Sequence, residues 1–136
     1  MITALSQVML IDDDPLTILL FDKINRIVGF AQEVISFYNA VDALDYLQRT
    51  KTDRPDVIFL DICMPIVNGW QFLEQFKTLS ESSVSSPTIF MLATSADQSD
   101  MNRAKKFDSV ADYIVKPLTV ERLRAVQRQL SGAVLT

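Results

Sequence analysis

Five short apolar runs recur along the chain, at Val8 to Ile11, Val34 to Phe37, Val57 to Leu60, Thr88 to Ala93 and Tyr113 to Val115, each followed by a helically spaced segment or a polar turn. Several are continuous β-branched and aliphatic stretches, without the in-out alternation of a half-exposed sheet. That is the pattern of parallel strands covered by helices on both faces. Strand and helix alternating throughout predict an α/β fold, a doubly wound five-stranded parallel sheet with right-handed crossovers. The strand order expected is 2-1-3-4-5, with a site at the carboxyl ends of the strands.

Helix start signals fall between the runs. Asp14 before Pro15 places a carboxylate cap ahead of a proline at the first helical position. Leu16, Leu19, Leu20, Ile24 and Ile27 then form an apolar stripe, read as the core face of the first helix. Asn39 to Asp42 cap a second helix, for which Val41, Leu44, Tyr46 and Leu47 supply packing groups. Gly69 opens a third, carrying Trp70, Phe72, Leu73, Phe76 and Leu79 inward and ending near the serine-rich stretch Ser80 to Ser86, read as a loop closed by Pro87. A weaker fourth helix is expected over about Ser99 to Lys106, and a fifth from Thr119 with Leu123, Val126 and Leu130 on one face. No linker or internal repeat divides residues 1–136, so one domain is expected, its core at about 6–131, with about six loose residues at each end.

Composition removes several classes of function. The net charge of −4, with acids and bases interspersed, lacks the basic face of a nucleic-acid binder, so direct DNA or RNA binding is not expected. No apolar run approaches the roughly 18 residues needed to cross a bilayer, so no membrane insertion is expected. The N-terminus lacks the positive region of an export signal. Cys63 is the only cysteine and cannot form an internal disulfide, which fits a reducing, cytoplasmic compartment. There is no histidine. Chemistry therefore runs on carboxylates, a lysine or hydroxyls.

Those groups gather at strand ends. Asp12 and Asp13 close the first run and Asp61 closes the third, its expected neighbour. Three carboxylates in one pocket raise one another's pKa or demand a cation. Mg²⁺, which prefers carboxylate oxygens and keeps several waters, is the natural partner. Lys116, before Pro117, ends the fifth run, and Ala93-Thr94-Ser95 ends the fourth. Carboxylate nucleophile, metal, lysine and hydroxyl together are the parts that phosphoryl transfer requires. Alone, Asp12-Asp13-Asp14 would be an equally good N-capping turn and Lys116 a surface lysine; their coincidence with Asp61 favours a site.

Val8 to Pro15, Phe59 to Pro65, Asn68-Gly69 and Tyr113 to Pro117 resemble the motifs of the response-regulator receiver family, a CheY-like, flavodoxin-like (βα)5 three-layer sandwich. The resemblance covers nearly the whole chain. It implies that Asp61 is the phosphorylated residue and that Asp12, Asp13 and Asp61 hold Mg²⁺ with the backbone carbonyl of Cys63. It further implies that Lys116 pairs with the phosphoryl group, that Thr94 is the switch hydroxyl and that Tyr113 is the switch aromatic. Ala93-Thr94-Ser95 leaves the hydroxyl's register open by one residue in either direction.

The function so implied is two-component signal transduction. Asp61 would accept a phosphoryl group from a sensor histidine kinase, a histidine phosphotransfer protein or a small phosphodonor, the domain assisting its own phosphorylation and dephosphorylation without being a conventional enzyme. A downstream protein target would dock on the face of the fourth helix, fifth strand and fifth helix, and the chain would be a monomer or a phosphorylation-dependent dimer. With the fifth helix expected to end near Leu130, no room is expected for an output domain. Two rivals differ in kind. A Mg²⁺-dependent aspartyl-phosphate phosphohydrolase shares nucleophile and fold class but needs a second acid where Cys63 stands. A non-phosphorylated binding scaffold would have no use for Asp12, Asp13, Asp61 and Lys116 together.

Overall fold

The computed structural model describes residues 4–50, 54–80 and 87–135. Five strands alternate with five helices: β1 (Leu5–Ile11), α1 (Pro15–Val28), β2 (Ala31–Phe37), α2 (Ala40–Arg49), β3 (Val57–Asp61), α3 (Gly69–Ser80), β4 (Thr88–Ala93), α4 (Gln98–Ala104), β5 (Val110–Val115) and α5 (Val120–Leu135). All pairings are parallel and the order is β2-β1-β3-β4-β5. The expected sheet is thus the observed one. Strands β1, β2 and β5 start upstream of their apolar runs, because polar residues such as Gln7 and Glu33 still pair in the ladder. The apolar run marks only the buried part of a strand. The serine-rich loop expected before Pro87 lies outside the described residues from 81 to 86. Regular structure reaches from Leu5 to Leu135, nearer both ends than the sequence suggested.

The sheet separates two cores. On one face Met9, Ile11, Ile58, Leu60 and Met91 meet α2, α3 and Ala104 of α4. On the other, Val8, Leu10, Phe59, Phe90 and Leu92 meet Phe21 of α1 and Leu123 and Val126 of α5. Successive strand residues feed opposite faces, so the central strand β3 buries every side chain. Phe59 lies between Phe21 and Phe90, with ring centroids 5.2 and 5.5 Å away.

Helix α1 corrects the sequence reading. Leu16, Leu19, Leu20 and Ile27 are exposed, while Phe21 and Asn25 are buried and Ile18, Ile24 and Val28 pack beneath. The inward face is 18, 21, 25, 28, and a polar residue stands in it. Asn25 is buried because its Oδ1 accepts from the Ala31 amide at 2.8 Å while its Nδ2 donates to the Ala31 carbonyl at 3.1 Å. A buried amide so satisfied costs little, so the hydrophobic stripe was a false guide. In α2, Leu44 and Leu47 are buried and Tyr46 packs on Phe37, but Val41 is exposed.

The caps follow from sequence chemistry. Asp14 accepts from Leu16 N at 3.0 Å, with Pro15 behind it, and Asn39 accepts from Asp42 N at 2.8 Å. Asn68 and Gln71 cap α3 reciprocally, each side chain accepting from the other's backbone N–H, at 3.0 and 2.9 Å. No helix among the described residues is long and apolar enough to cross a membrane.

Candidate phosphoacceptor and metal site

The ladders continue one residue past the strands and so hold the site residues rigidly. Asp12 N donates to Phe37 O at 3.0 Å, Ile62 N to Leu92 O at 3.0 Å and Lys116 N to Ala93 O at 2.7 Å. The ends of β1, β3 and β5, all on one edge of the parallel sheet, thereby deliver Asp12, Asp61 and Lys116 to one place. Gly69 completes the floor: its amide donates to Ile62 O at 2.9 Å, and a Cβ there would stand 2.9 Å from both the Asp61 carbonyl oxygen and Ile62 Cα. Only glycine lets α3 start this close behind the Asp61 backbone.

Asp12, Asp13 and Asp61 each bring a carboxylate oxygen within 4.8 Å of the others. Asp12 is wholly inaccessible and Asp61 is 3% exposed, whereas Asp13 faces solvent. Asp12 Oδ1 accepts from Asp14 N at 2.9 Å. Lys116 Nζ lies 2.6 Å from Asp12 Oδ2 and 3.4 Å from Asp61 Oδ1. Asp12 Oδ2 has this ion pair but no hydrogen bond of regular geometry, so charge attraction is what compensates it.

The electrostatics show a site short of positive charge. Burial, then the neighbouring Asp12 carboxylate, push Asp61 up to about 6, against the lowering pull of Lys116. Burial alone would lower Lys116, but its close pairing with Asp12 and the charges of Asp12 and Asp61 more than offset it, leaving the ammonium above its ordinary range. One ammonium faces three carboxylates. An all-oxygen set of this kind, with one member open to solvent, fits a hard divalent cation.

The remaining residues singled out in the sequence flank this centre. Thr94 follows β4 directly, is exposed, and lines with Lys116, Leu16 and Leu20 a cavity of about 350 Å³ between α1 and the β5–α5 turn. The Tyr113 hydroxyl donates to Ser95 O at 2.8 Å, and Ser95 itself is exposed. Burial, then Asp100, raise the Tyr113 phenol above its ordinary value, so it stays a neutral donor. The Cys63 side chain is exposed, and its amide donates weakly to Asp61 Oδ1 at 3.4 Å. The Lys116-Pro117 bond is cis. A larger open cleft of about 1200 Å³, between α3 and α4 at the amino ends of β4 and β5, contains none of these groups. What sequence reasoning missed is the close approach of Gly69, for which the only signal was its place after Asn68.

The sequence and the fold are similar to those of known proteins. The profile of the response regulator receiver domain matches residues 8–128. A transcriptional regulatory protein of Mycobacterium tuberculosis, TrcR, is 34% identical over 91% of this chain and 44% of its own length. Hybrid signal transduction histidine kinase L of Dictyostelium discoideum is 31% identical over 90% of this chain but only 7% of its own. The chain thus spans about half or less of these relatives. Among solved structures, a two component response regulator from Cytophaga hutchinsonii superposes with a TM-score of 0.82 at 29% identity, covering 95% of this chain and 98% of that one. A response regulator receiver protein from Dyadobacter fermentans gives 0.80 at 28%, covering 91% and 96%.

Proposed function

The chain belongs to the response regulator receiver family, whose standard role is to accept a phosphoryl group in two-component signalling, and on that premise we propose that Asp61 is its phosphoacceptor. The observation that carries this is a nearly sealed carboxylate at the end of β3 with an ammonium 3.4 Å away and two further acids beside it. An Asp61 oxygen attacks phosphorus, the P–N bond of a donor phosphohistidine breaks, and the departing imidazole takes a proton from solvent. The product is an acyl phosphate. Lys116, already drawn to Asp12 and Asp61, stabilises charge on the transferred group. Asp12, Asp13 and Asp61, with the Cys63 carbonyl, would hold Mg²⁺, which supplies neutralising charge for the phosphoryl oxygens.

Thr94 and Tyr113 are proposed as the groups that convert phosphorylation into a change of the α4-β5-α5 face, where a downstream protein docks. The support is position: Thr94 shares a cavity wall with Lys116, and Tyr113 already ties β5 to the β4–α4 loop through Ser95. The phosphodonors are histidine kinases or histidine phosphotransfer proteins, as for receiver domains generally. Work in the cytoplasm suits a chain with one exposed thiol, Cys63.

Intact mass after incubation with acetyl phosphate and Mg²⁺ tests the assignment. A base-labile phosphoryl adduct is expected, absent from Asp61→Asn and absent with EDTA. An adduct that persists in Asp61→Asn would remove the phosphoacceptor from Asp61. No adduct, together with no binding of beryllofluoride, would favour a non-phosphorylated scaffold.

A further inference from the structure

Helix α1 keeps an apolar row on its outer side. Leu16, Leu19, Leu20 and Ile27 are 59, 53, 44 and 62% exposed. At about 100° per residue, Leu16, Leu20, Lys23 and Ile27 fall within an arc of about 60°, which Leu19 borders. Their spacing of four, three and four residues is that of a coiled-coil seam, which is stable only when buried against another helix. The fold does not use this row, because Phe21 and Asn25, with Ile18, Ile24 and Val28, make the inward face. Single apolar residues on a surface are ordinary, but a contiguous row of them marks an interaction site.

The same helix carries a hole and a knob. The cavity of about 350 Å³ lies beside its amino-terminal half, lined by Leu16, Leu20, Ile24, Leu92 and Leu118. Ile27 stands at the other end, about 16 Å along the axis from Leu16. A second copy laid antiparallel across α1 meets both features at once. Ile27 of each copy comes opposite Leu16 of the other, at the mouth of its cavity, and Leu20 opposite Lys23, whose stem covers apolar surface. That is the self-complementarity a two-fold interface requires. Charge selects the antiparallel sense. Exposed Asp13 and Asp14 flank the amino end of the helix. In the carboxyl half Asp22 and Arg26 pair with each other at 2.9 Å, leaving exposed Lys23 as its excess charge. A parallel pair would set like ends and like dipoles together, whereas an antiparallel pair sets the acidic end of each helix against the basic half of the other.

We propose that the outer face of α1 is a self-association surface, on which a second copy of this chain packs its own α1 antiparallel and seats Ile27 in the cavity. The proposal does not depend on Asp61 being the phosphoacceptor. A 14-residue helix is about 21 Å long, so the contact lies at or below the roughly 1,200 Å² of a stable interface, and the pair is weak and reversible. The cavity wall includes Thr94 and Lys116, so Ile27 of each copy comes to rest beside the proposed phosphorylation site of the other.

Sedimentation equilibrium of the full chain in EDTA, over about 5 to 500 µM, reads the pairing. The average mass should rise from 15.4 kDa toward twice that value. Ile27→Glu should raise the dissociation constant about tenfold or more, as for loss of an interface anchor, while its thermal unfolding stays that of the wild type. Ile27→Leu, which keeps apolar bulk, should pair as the wild type does. Single cysteines in a Cys63→Ser chain read the sense of the pair. Lys23→Cys, about 5 Å along the axis from its mate in an antiparallel pair, should form a disulfide-linked dimer under mild oxidation, and Leu16→Cys, about 16 Å from its mate, should not. Equal crosslinking at both positions would mean a parallel pair and overturn the proposal. A wild-type chain that stays monomeric at the highest concentration would overturn it too, leaving the row on α1 to a different protein, as would Ile27→Glu dimerising as the wild type does.

Discussion

Replacing Asp61 by asparagine should make the cation-free protein more stable, although it removes the proposed phosphoacceptor. In the fold the Asp61 carboxyl is raised from 3.8 to about 6, by burial first and by Asp12 second. A raised carboxyl favours the folded state fully below 3.8, and that contribution is lost as pH rises through about 6. At pH 7.5 the ionised group therefore opposes folding, by about 3 kcal/mol at most at 1.36 kcal/mol per pKa unit. The neighbouring Lys116, which asparagine holds less well, brings the expected gain to about 2 kcal/mol. Urea unfolding in EDTA should show Asp61→Asn ahead of the wild type at pH 7.5, with the gap closing as pH falls from 6 toward 4. Mg²⁺ should narrow it from the other side, since a cation at a hundred times its Kd stabilises the wild type by about 2.7 kcal/mol. A variant no more stable than the wild type at pH 7.5, or a gap indifferent to pH, would refute the view that Asp61 is a buried, under-compensated charge.

Four further outcomes are expected. Lys116→Ala leaves the inaccessible Asp12 without its ion-pair partner and should cost about 2–4 kcal/mol by urea unfolding in EDTA, with the loss partly recovered on adding Mg²⁺. Gly69→Ala forces a Cβ to 2.9 Å from two backbone atoms of Asp61 and Ile62, so it should destabilise by about 1–3 kcal/mol and slow labelling by acetyl phosphate. Ile66 has φ of 69°, in the left-handed region that a β-branched side chain resists, so Ile66→Gly should raise stability by about 0.5–1 kcal/mol, the relieved strain exceeding the added chain entropy; a loss of stability by thermal unfolding would contradict the strain argument. Asn25→Leu leaves the amide and carbonyl of Ala31 unsatisfied in the interior and should cost about 2–3 kcal/mol, despite the gain in apolar surface, as read by chemical denaturation.

The sequence by itself determined the five strands, their parallel sheet and which acids end the strands. Continuous β-branched runs can be buried only by covering both faces, and a chain that alternates them with helical segments has few topologies open to it. Asp12, Asp61 and Lys116 were legible because a residue that ends a parallel strand must emerge on the same edge as its neighbours. The face of α1 was not legible. The leucines of the helix, Leu16, Leu19 and Leu20, face outward, and Asn25 goes inside because a backbone pair at Ala31, fixed only once β2 is in place, satisfies it. Nor was the strain at Ile66 or the tight approach at Gly69, since both depend on where α3 must start relative to Asp61. The raised carboxyl of Asp61 likewise needed the fold: sequence supplies the charges, but their separation and burial, which set the field each one feels, exist only in the tertiary structure.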